Sequence, residues 1–305
     1  MYLGIEIGGT KLQLVAGDGE GEITHRHRLT VEPQKGGVGI REQIQRLLPD
    51  LLRSVRPDAI AVGFGGPVDW RTGTICCSHQ VEGWSQFELG AWLREQAGLP
   101  VAIENDANTA TLAEARCGAG VDGNPVFYVT LGSGVGGGLV VDGKIYHGTR
   151  PGEAEIGHLR LDREGTILET RCSGWAVDAR IRQLRLTEPT SLLCRWTLDV
   201  AAGEARFLAR ACRDGDAAAW RILRETATDL AFGLSHVVHL FHPEVVVLGG
   251  GLSLVGEPLR VEVEHALRPL VMEAFAPGPR VVLAGLGEDA VPVGALLLAR
   301  AAALG

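Results

Sequence analysis

At 305 residues the chain is about twice a typical single domain, so two domains around separate cores are expected. A formal charge of −8 excludes the clustered basic face of a nucleic-acid binder, and the best basic stretch, Ala179 to Arg185 (ARIRQLR), reads as the solvated face of a helix. No apolar run approaches the roughly 20 residues of a membrane helix and no basic-then-apolar signal opens the chain, so a cytoplasmic protein without a membrane partner is expected.

In chain order, residues 2–8 and 11–17 read as two strands joined at Gly8-Gly9-Thr10, and Asp18-Gly19-Glu20-Gly21 turns into a third, ITHRHRLTV. Helical periodicity follows over 38–55, with Pro49 as a possible kink, then a buried strand at 59–65. A helix over 85–97 and a buried strand over 99–105 complete the first half. Residues 125–148 repeat the opening pattern of strand, glycine turn and strand, which implies an internal duplication. A long helical stretch over about 173–242 breaks at 213–216, a strand at 244–253 ends in three glycines, and an apolar helix closes the chain.

Two candidate metal patterns are set aside. The cysteines at 76, 77, 117, 172, 194 and 212 form no C-x-x-C pair and read as reduced, mostly buried thiols. His236, His239 and His242 lie on one apolar helix. A spacing of three drifts about 60° around a helix at each step, so they diverge and read as packing residues.

Three glycine runs stand at strand ends: Gly8-Gly9-Thr10-Lys11, Gly132 to Gly138, and Gly249-Gly250-Gly251. Glycine lets backbone N–H groups approach phosphate oxygens without a Cβ in the way. Gly132, Gly134 and Gly137 match G-x-G-x-x-G, but a hairpin follows where a dinucleotide site needs a helix. Residues 138–145 (GLVVDGKI) approach a P-loop but lack its Ser or Thr. Asp106 follows the strand VAIEN, where ligands of an α/β sheet bind. A carboxylate there suits the base of a phosphoryl transfer, and equally suits the N-cap of the next helix.

The set GIEIGGTK (4–11), GFGGPVD (63–69), ENDANTA (104–110), TLGSGVGGG (130–138), GEAEIGH (152–158), Ser173-Gly174 and HPEVVVLGGGLS (242–253) closely resembles the ROK family of sugar kinases, in the family's order. The resemblance implies an actin-like ATPase (ribonuclease H-like) α/β fold with two α/β domains and a central cleft. We place the small domain at 1–107 plus 288–305 and the large one at 108–287, with the last helix returning to the first domain. It implies ATP-dependent phosphorylation of a hexose, the 6-hydroxyl of glucose or a relative, with Asp106 as base. Asn105, Glu155, His158 and Glu169 match sugar-binding residues, and Gly66 flanks the sugar. Gly9, Thr10 and Lys11 match the first phosphate loop, Gly132, Ser133 and Gly134 the second, and Gly249 and Gly250 the adenosine side. The implied cofactors are ATP and magnesium, and relatives are often dimers, so a homodimer is expected.

Four departures qualify the likeness. The family's C-x-C-G-x-x-G-C zinc loop is missing after His158, so no zinc is expected. Glu6 stands where the family usually has Asp, near the magnesium and its waters. The loop at Gly65-Gly66-Pro67 is short, and Ser78-His79-Gln80 lacks an asparagine often seen before the tryptophan, here Trp84. The alternatives are a kinase of mannose, fructose, an N-acetylated amino sugar or a carbocyclic analogue, or a catalytically weak sugar sensor. The family's repressors carry a DNA-binding module before the first phosphate loop, and with that loop starting at residue 8 no such module is expected here.

Overall fold

In the computed structural model, which describes residues 1–78, 81–152 and 154–305, the opening alternation becomes β1 (Tyr2–Ile7), β2 (Lys11–Gly17) and β3 (Ile23–Thr30), paired antiparallel in sequence. α1 (Gly36–Val55) buries Ile40, Ile44, Leu48 and Leu51, one stripe at helical spacing, and Pro49 lies inside it without ending it. β4 (Ile60–Phe64) pairs parallel with β1. The short strands β5 (Val68–Asp69) and β6 (Thr74–Ile75) form a separate pair. Then come α2 (Leu89–Ala97), β7 (Val101–Asn105), parallel to β4, and α3 (Asp106–Cys117). The first sheet therefore runs β3-β2-β1-β4-β7. Leu3, Ile5, Val62 and Trp84 fill the core between it and α1.

The second sheet contains β8 (Val126–Leu131), β9 (Val135–Val141) and β10 (Lys144–Ile145). α4 (Glu169–Cys172) precedes the helical stretch expected over 173–242, which holds α5 (Gly174–Thr187), α6 (Leu192–Thr197), α7 (Leu208–Arg213) and α8 (Ala217–Phe241). The expected break at 213–216 separates α7 from α8, and the stretch is interrupted twice more before it. Caps set the breaks: Ser173, Ser191 and Asp216 each accept backbone N–H groups at the start of α5, α6 and α8. β11 (Val245–Gly249), α9 (Glu257–Leu267), β12 (Arg280–Leu283) and α10 (Ala290–Leu304) follow. The order is β10-β9-β8-β11-β12, with β11 parallel to both neighbours.

The chain divides into two compact units: residues 1–121, 138–154 and 288–305 in unit 1, and 122–137 and 155–287 in unit 2. These bounds differ from the sequence expectation. α3 packs on α10, which also covers β1 and β4, so α3 stays with the first sheet instead of opening the second unit. The hairpin at 138–154 joins it through the Thr111 and Asn108 side chains, which come so close to Gly138 that a Cβ there would meet them at 2.2 and 3.0 Å.

The basic stretch of α5 is solvated in part: Ala179, Arg182 and Gln183 are exposed, yet its arginines are also engaged by partners. Arg182 and Arg185 reach the fully buried Glu204 carboxylate, at 2.7 and 3.2 Å, and Arg180 is largely buried. His236, His239 and His242 are exposed rather than internal, and His242 stacks on Phe275 at 3.8 Å. Cys172, Cys194 and Cys212 are buried, while the other three cysteines are half-buried. His79 and Gln80, on which the expectation at Ser78-His79-Gln80 falls, lie outside the described residues. No helix among the described residues is long and apolar enough to cross a membrane.

Candidate active site

In unit 1 three parallel strands, β1, β4 and β7, deliver Gly8, Gly65 and Asp106 at their C-terminal ends. Gly65 donates its N–H to the Ile7 carbonyl at 2.9 Å. A Cβ on Gly65 would lie 3.4 Å from Asp106 Oδ2 and 3.7 Å from Gly8 Cα, so the carboxylate and the first glycine turn both border Gly65. The capping alternative for Asp106 meets a competitor. Asn105 is the N-cap of α3: its Oδ1 accepts from Ala107 N at 2.8 Å and Asn108 N at 3.1 Å. Asp106 occupies the first helical position, where the positive end of the helix favours its negative charge, and its Oδ1 also accepts from Ala107 N. Asn105, expected at a sugar hydroxyl, is thus first a structural residue, and its Nδ2 donates to the Gly66 carbonyl at 3.2 Å.

The first phosphate turn is closed by Gly8 N donating to the Lys11 carbonyl at 2.9 Å, with Gly9 and Thr10 at its tip. Lys11 Nζ lies 3.1 Å from Glu6 Oε1, and Gln13 Nε2 donates to Glu6 Oε2 at 2.6 Å. A second group of residues was missed by the sequence reading. Buried Glu104 accepts from Asn105 N at 2.9 Å and Asn108 Nδ2 at 3.0 Å, and its Oε2 is 2.6 Å from His147 Nε2. His147 stacks on Trp70 at 4.1 Å, and Arg150 pairs with Asp69 at 2.9 Å. These contacts fasten residues 147–152 to the base of α3 and to β5. The available signal was a carboxylate inside a strand buried on both faces.

In unit 2 the second glycine turn is fixed by backbone bonds. Gly132 N donates to the Gly134 carbonyl at 2.9 Å, and Gly174 N donates to the Gly132 carbonyl at 2.7 Å, with Ser133 between. Glu169, expected at the sugar, sits against this turn: its Oε2 accepts Val135 N at 2.9 Å, and a Cβ on Gly134 would be 2.5 Å from that oxygen. Glu155 and His158 are both exposed on one 3-10 turn, His158 N donating to the Glu155 carbonyl at 3.1 Å. Gly157 between them passes against Val135, where a Cβ would meet the carbonyl at 2.2 Å. Gly249 ends β11, and Gly250 follows with φ of 79°, the left-handed region that glycine tolerates. The structure thus gathers Glu6, Gly9, Thr10, Lys11, Gly66, Asn105 and Asp106 in unit 1. It places Gly132, Ser133, Gly134, Glu155, His158, Glu169, Gly249 and Gly250 in unit 2.

The ROK family model matches residues 2–302. The chain belongs to the ROK family. It is 31% identical over 308 residues to a glucokinase of Halalkalibacterium halodurans, covering 96% of this chain and 93% of that protein. A ROK family glucokinase from Streptomyces griseus, solved with glucose and AMPPNP, is 31% identical with a TM-score of 0.84, covering 98% of this chain and 99% of that one. A ROK hexokinase from Thermus thermophilus is 30% identical with a TM-score of 0.80, covering 98% of each chain. The fold is accordingly the actin-like ATPase fold of ROK sugar kinases.

Two groups implied by the ROK family are tested by the donor sets. For zinc, Cys172 does not fit: it is fully buried, its Sγ is 3.5 Å from the Thr226 carbonyl, and burial pushes the thiol up to about 12, so it stays protonated. No group of three His, Cys, Asp or Glu able to hold a metal occurs among the described residues. For magnesium, Glu6 fits as a water-mediated partner, because a carboxylate has about four lone-pair sites and Lys11 and Gln13 take one on each oxygen.

Proposed function

We propose that this ROK protein, an ATP-dependent sugar kinase, transfers the γ-phosphoryl of ATP to the 6-hydroxyl of glucose or a close hexose relative, with Asp106 as general base. The observation that carries the reading is the pairing of a carboxylate that is not the helix cap with a glycine turn bearing a lysine, all at the ends of parallel strands. Hexose specificity rests on the glucokinase and hexokinase relatives, and on Asn105, Glu155, His158 and Glu169 as partners for sugar hydroxyls.

In the transfer the sugar oxygen forms a bond to the γ-phosphorus while the bond to the β–γ bridging oxygen breaks. The hydroxyl proton passes to Asp106, and the products are sugar phosphate and ADP. Lys11 offsets phosphate charge, and the backbone N–H groups of the Gly132–Gly134 turn are further candidate donors to phosphate oxygens. A magnesium ion, held through water at Glu6, supplies further charge neutralisation when bound.

The test is Asp106→Asn, which keeps shape and removes the base. Turnover should fall about 10² to 10⁴-fold while glucose binding, measured by calorimetry, stays within about threefold. Near-full turnover would show that another group takes the proton.

A further inference from the structure

Gln13 is a polar side chain with no exposed surface in the middle of an apolar strand. In the β1–β2 ladder it is the direct cross-strand partner of Glu6. Its amide is bound at both ends. Nε2 donates to Glu6 Oε2 at 2.6 Å, and Oε1 accepts from Arg26 Nη1 and Arg28 Nε, each at 3.3 Å. These partners fix which end of the amide faces which way, since a guanidinium only donates and a carboxylate only accepts. Behind the arginines stand two more carboxylates: Arg26 reaches Asp289 at 2.7 Å, and Arg28 reaches Glu288 at 2.6 Å. The row therefore alternates donor and acceptor from the start of α10 through β3 and β2 to β1, and ends where Glu6 holds Lys11 Nζ at 3.1 Å.

We propose that Gln13 is a positioning residue for the phosphate donor, acting through Glu6 to hold the Lys11 ammonium at the first glycine turn. Lysine is a compact charge on a four-carbon stem, so it delivers charge to one place only when something restrains it. Glu6 supplies that restraint, and Gln13 fixes Glu6 by a short charge-assisted bond whose donor is itself polarised by two guanidinium groups. The carboxylate at position 6 thus has a second task besides its place near magnesium. The proposal rests on the reading of Lys11 as the cation of a phosphate loop.

The test is a double-substitution cycle on the full chain, with Gln13→Met and Lys11→Met, reading kcat, KM for ATP and for glucose, and AMPPNP and glucose affinity by calorimetry. Gln13→Met should raise KM for ATP and weaken AMPPNP binding about tenfold, the loss of one charge-assisted hydrogen bond, with both glucose constants within about twofold. In the Lys11→Met background the same substitution should add nothing. Gln13→Glu is the second variant, because it keeps the shape and the arginine contacts but sets a like charge against Glu6, and it should weaken AMPPNP binding similarly. An equal loss for both substrates, or a full additional loss in the Lys11→Met background, overturns the proposal and leaves Gln13 a folding residue. Lys11→Met with unchanged AMPPNP affinity overturns the phosphate-loop reading itself.

Discussion

The glycine turn after β1 and the glycine turn after β8 open two similar strand pairs, yet different chemistry holds them. Around the first, the backbone bond from Gly8 N to the Lys11 carbonyl is joined by a side-chain network: Glu6 is bound by Lys11 and Gln13, and an arginine pair stands behind. Around the second, the backbone does it, through Gly132, Gly134 and Gly174, with one carboxylate, Glu169, on Val135 N. The first turn can therefore present a lysine ammonium steadied by the Glu6 carboxylate, and the second presents backbone N–H dipoles. A substitution at the first is felt as a lost or displaced charge. At the second it is felt as a steric clash.

Paired alanine substitutions sharpen this contrast. A Cβ on Gly134 falls 2.5 Å from Glu169 Oε2, so Gly134→Ala must push Glu169 off Val135 or shift the turn. We expect kcat/KM to fall about a hundredfold, the scale of a misplacement of about 1 Å. Thermal or urea unfolding should show a loss of about 2 kcal/mol, typical of overpacking. A Cβ on Gly8 meets only the Lys11 carbonyl, at 3.4 Å, an ordinary contact. Gly8→Ala should leave stability within about 0.5 kcal/mol while activity falls, because only the substrate needs that space. Equal stability losses in the two variants break the comparison.

A smaller effect separates site from scaffold within unit 2. Glu204 is fully buried, and the Arg182 hydrogen bond, helped by backbone bonding and the Arg185 charge, holds its carboxyl below the usual value of 4.5. A depressed carboxyl stabilises the fold above its unfolded value and loses that contribution as pH falls through the folded one. Glu204→Gln should cost about 2 kcal/mol at pH 7, discounted because Arg182 is half exposed, with glucose KM unchanged. Denaturant melts from pH 7 to 3 should show the gap constant above the ordinary carboxylate range and closing as pH falls from 4.5 towards the depressed folded value. A gap constant with pH would mean that the ion pair is not its source.

The glycine turns and Asp106 were legible because each is local: a strand pattern, a break in period and a carboxylate immediately after. Asn105 as the cap was within reach of the same logic, since its side chain bonds only two and three residues ahead. What was hidden depends on partners far along the chain. ARIRQLR reads as solvated until Glu204 arrives on another element to pair with Arg182 and Arg185. Glu104 reads as one letter of a motif until His147 comes within 2.6 Å. Gln13 did leave a trace, a lone amide among apolar neighbours, but only the hairpin register shows that it faces Glu6. The compact units differ from the expected domain bounds for a similar reason: α3 follows β7 directly, yet its packing partner α10 is the last helix of the chain.

The central claim is phosphoryl transfer from ATP to a hexose, and the most direct measurement is ADP release by the purified protein with magnesium, ATP and a panel of sugars. Glucose, mannose, fructose, N-acetylated amino sugars and a carbocyclic analogue would be compared by kcat/KM. The account predicts sugar-dependent ADP release, highest with glucose or a close hexose and matched mole for mole by sugar phosphate. Sugar binding without ADP release from any member of the panel would contradict it and make the chain a sensor.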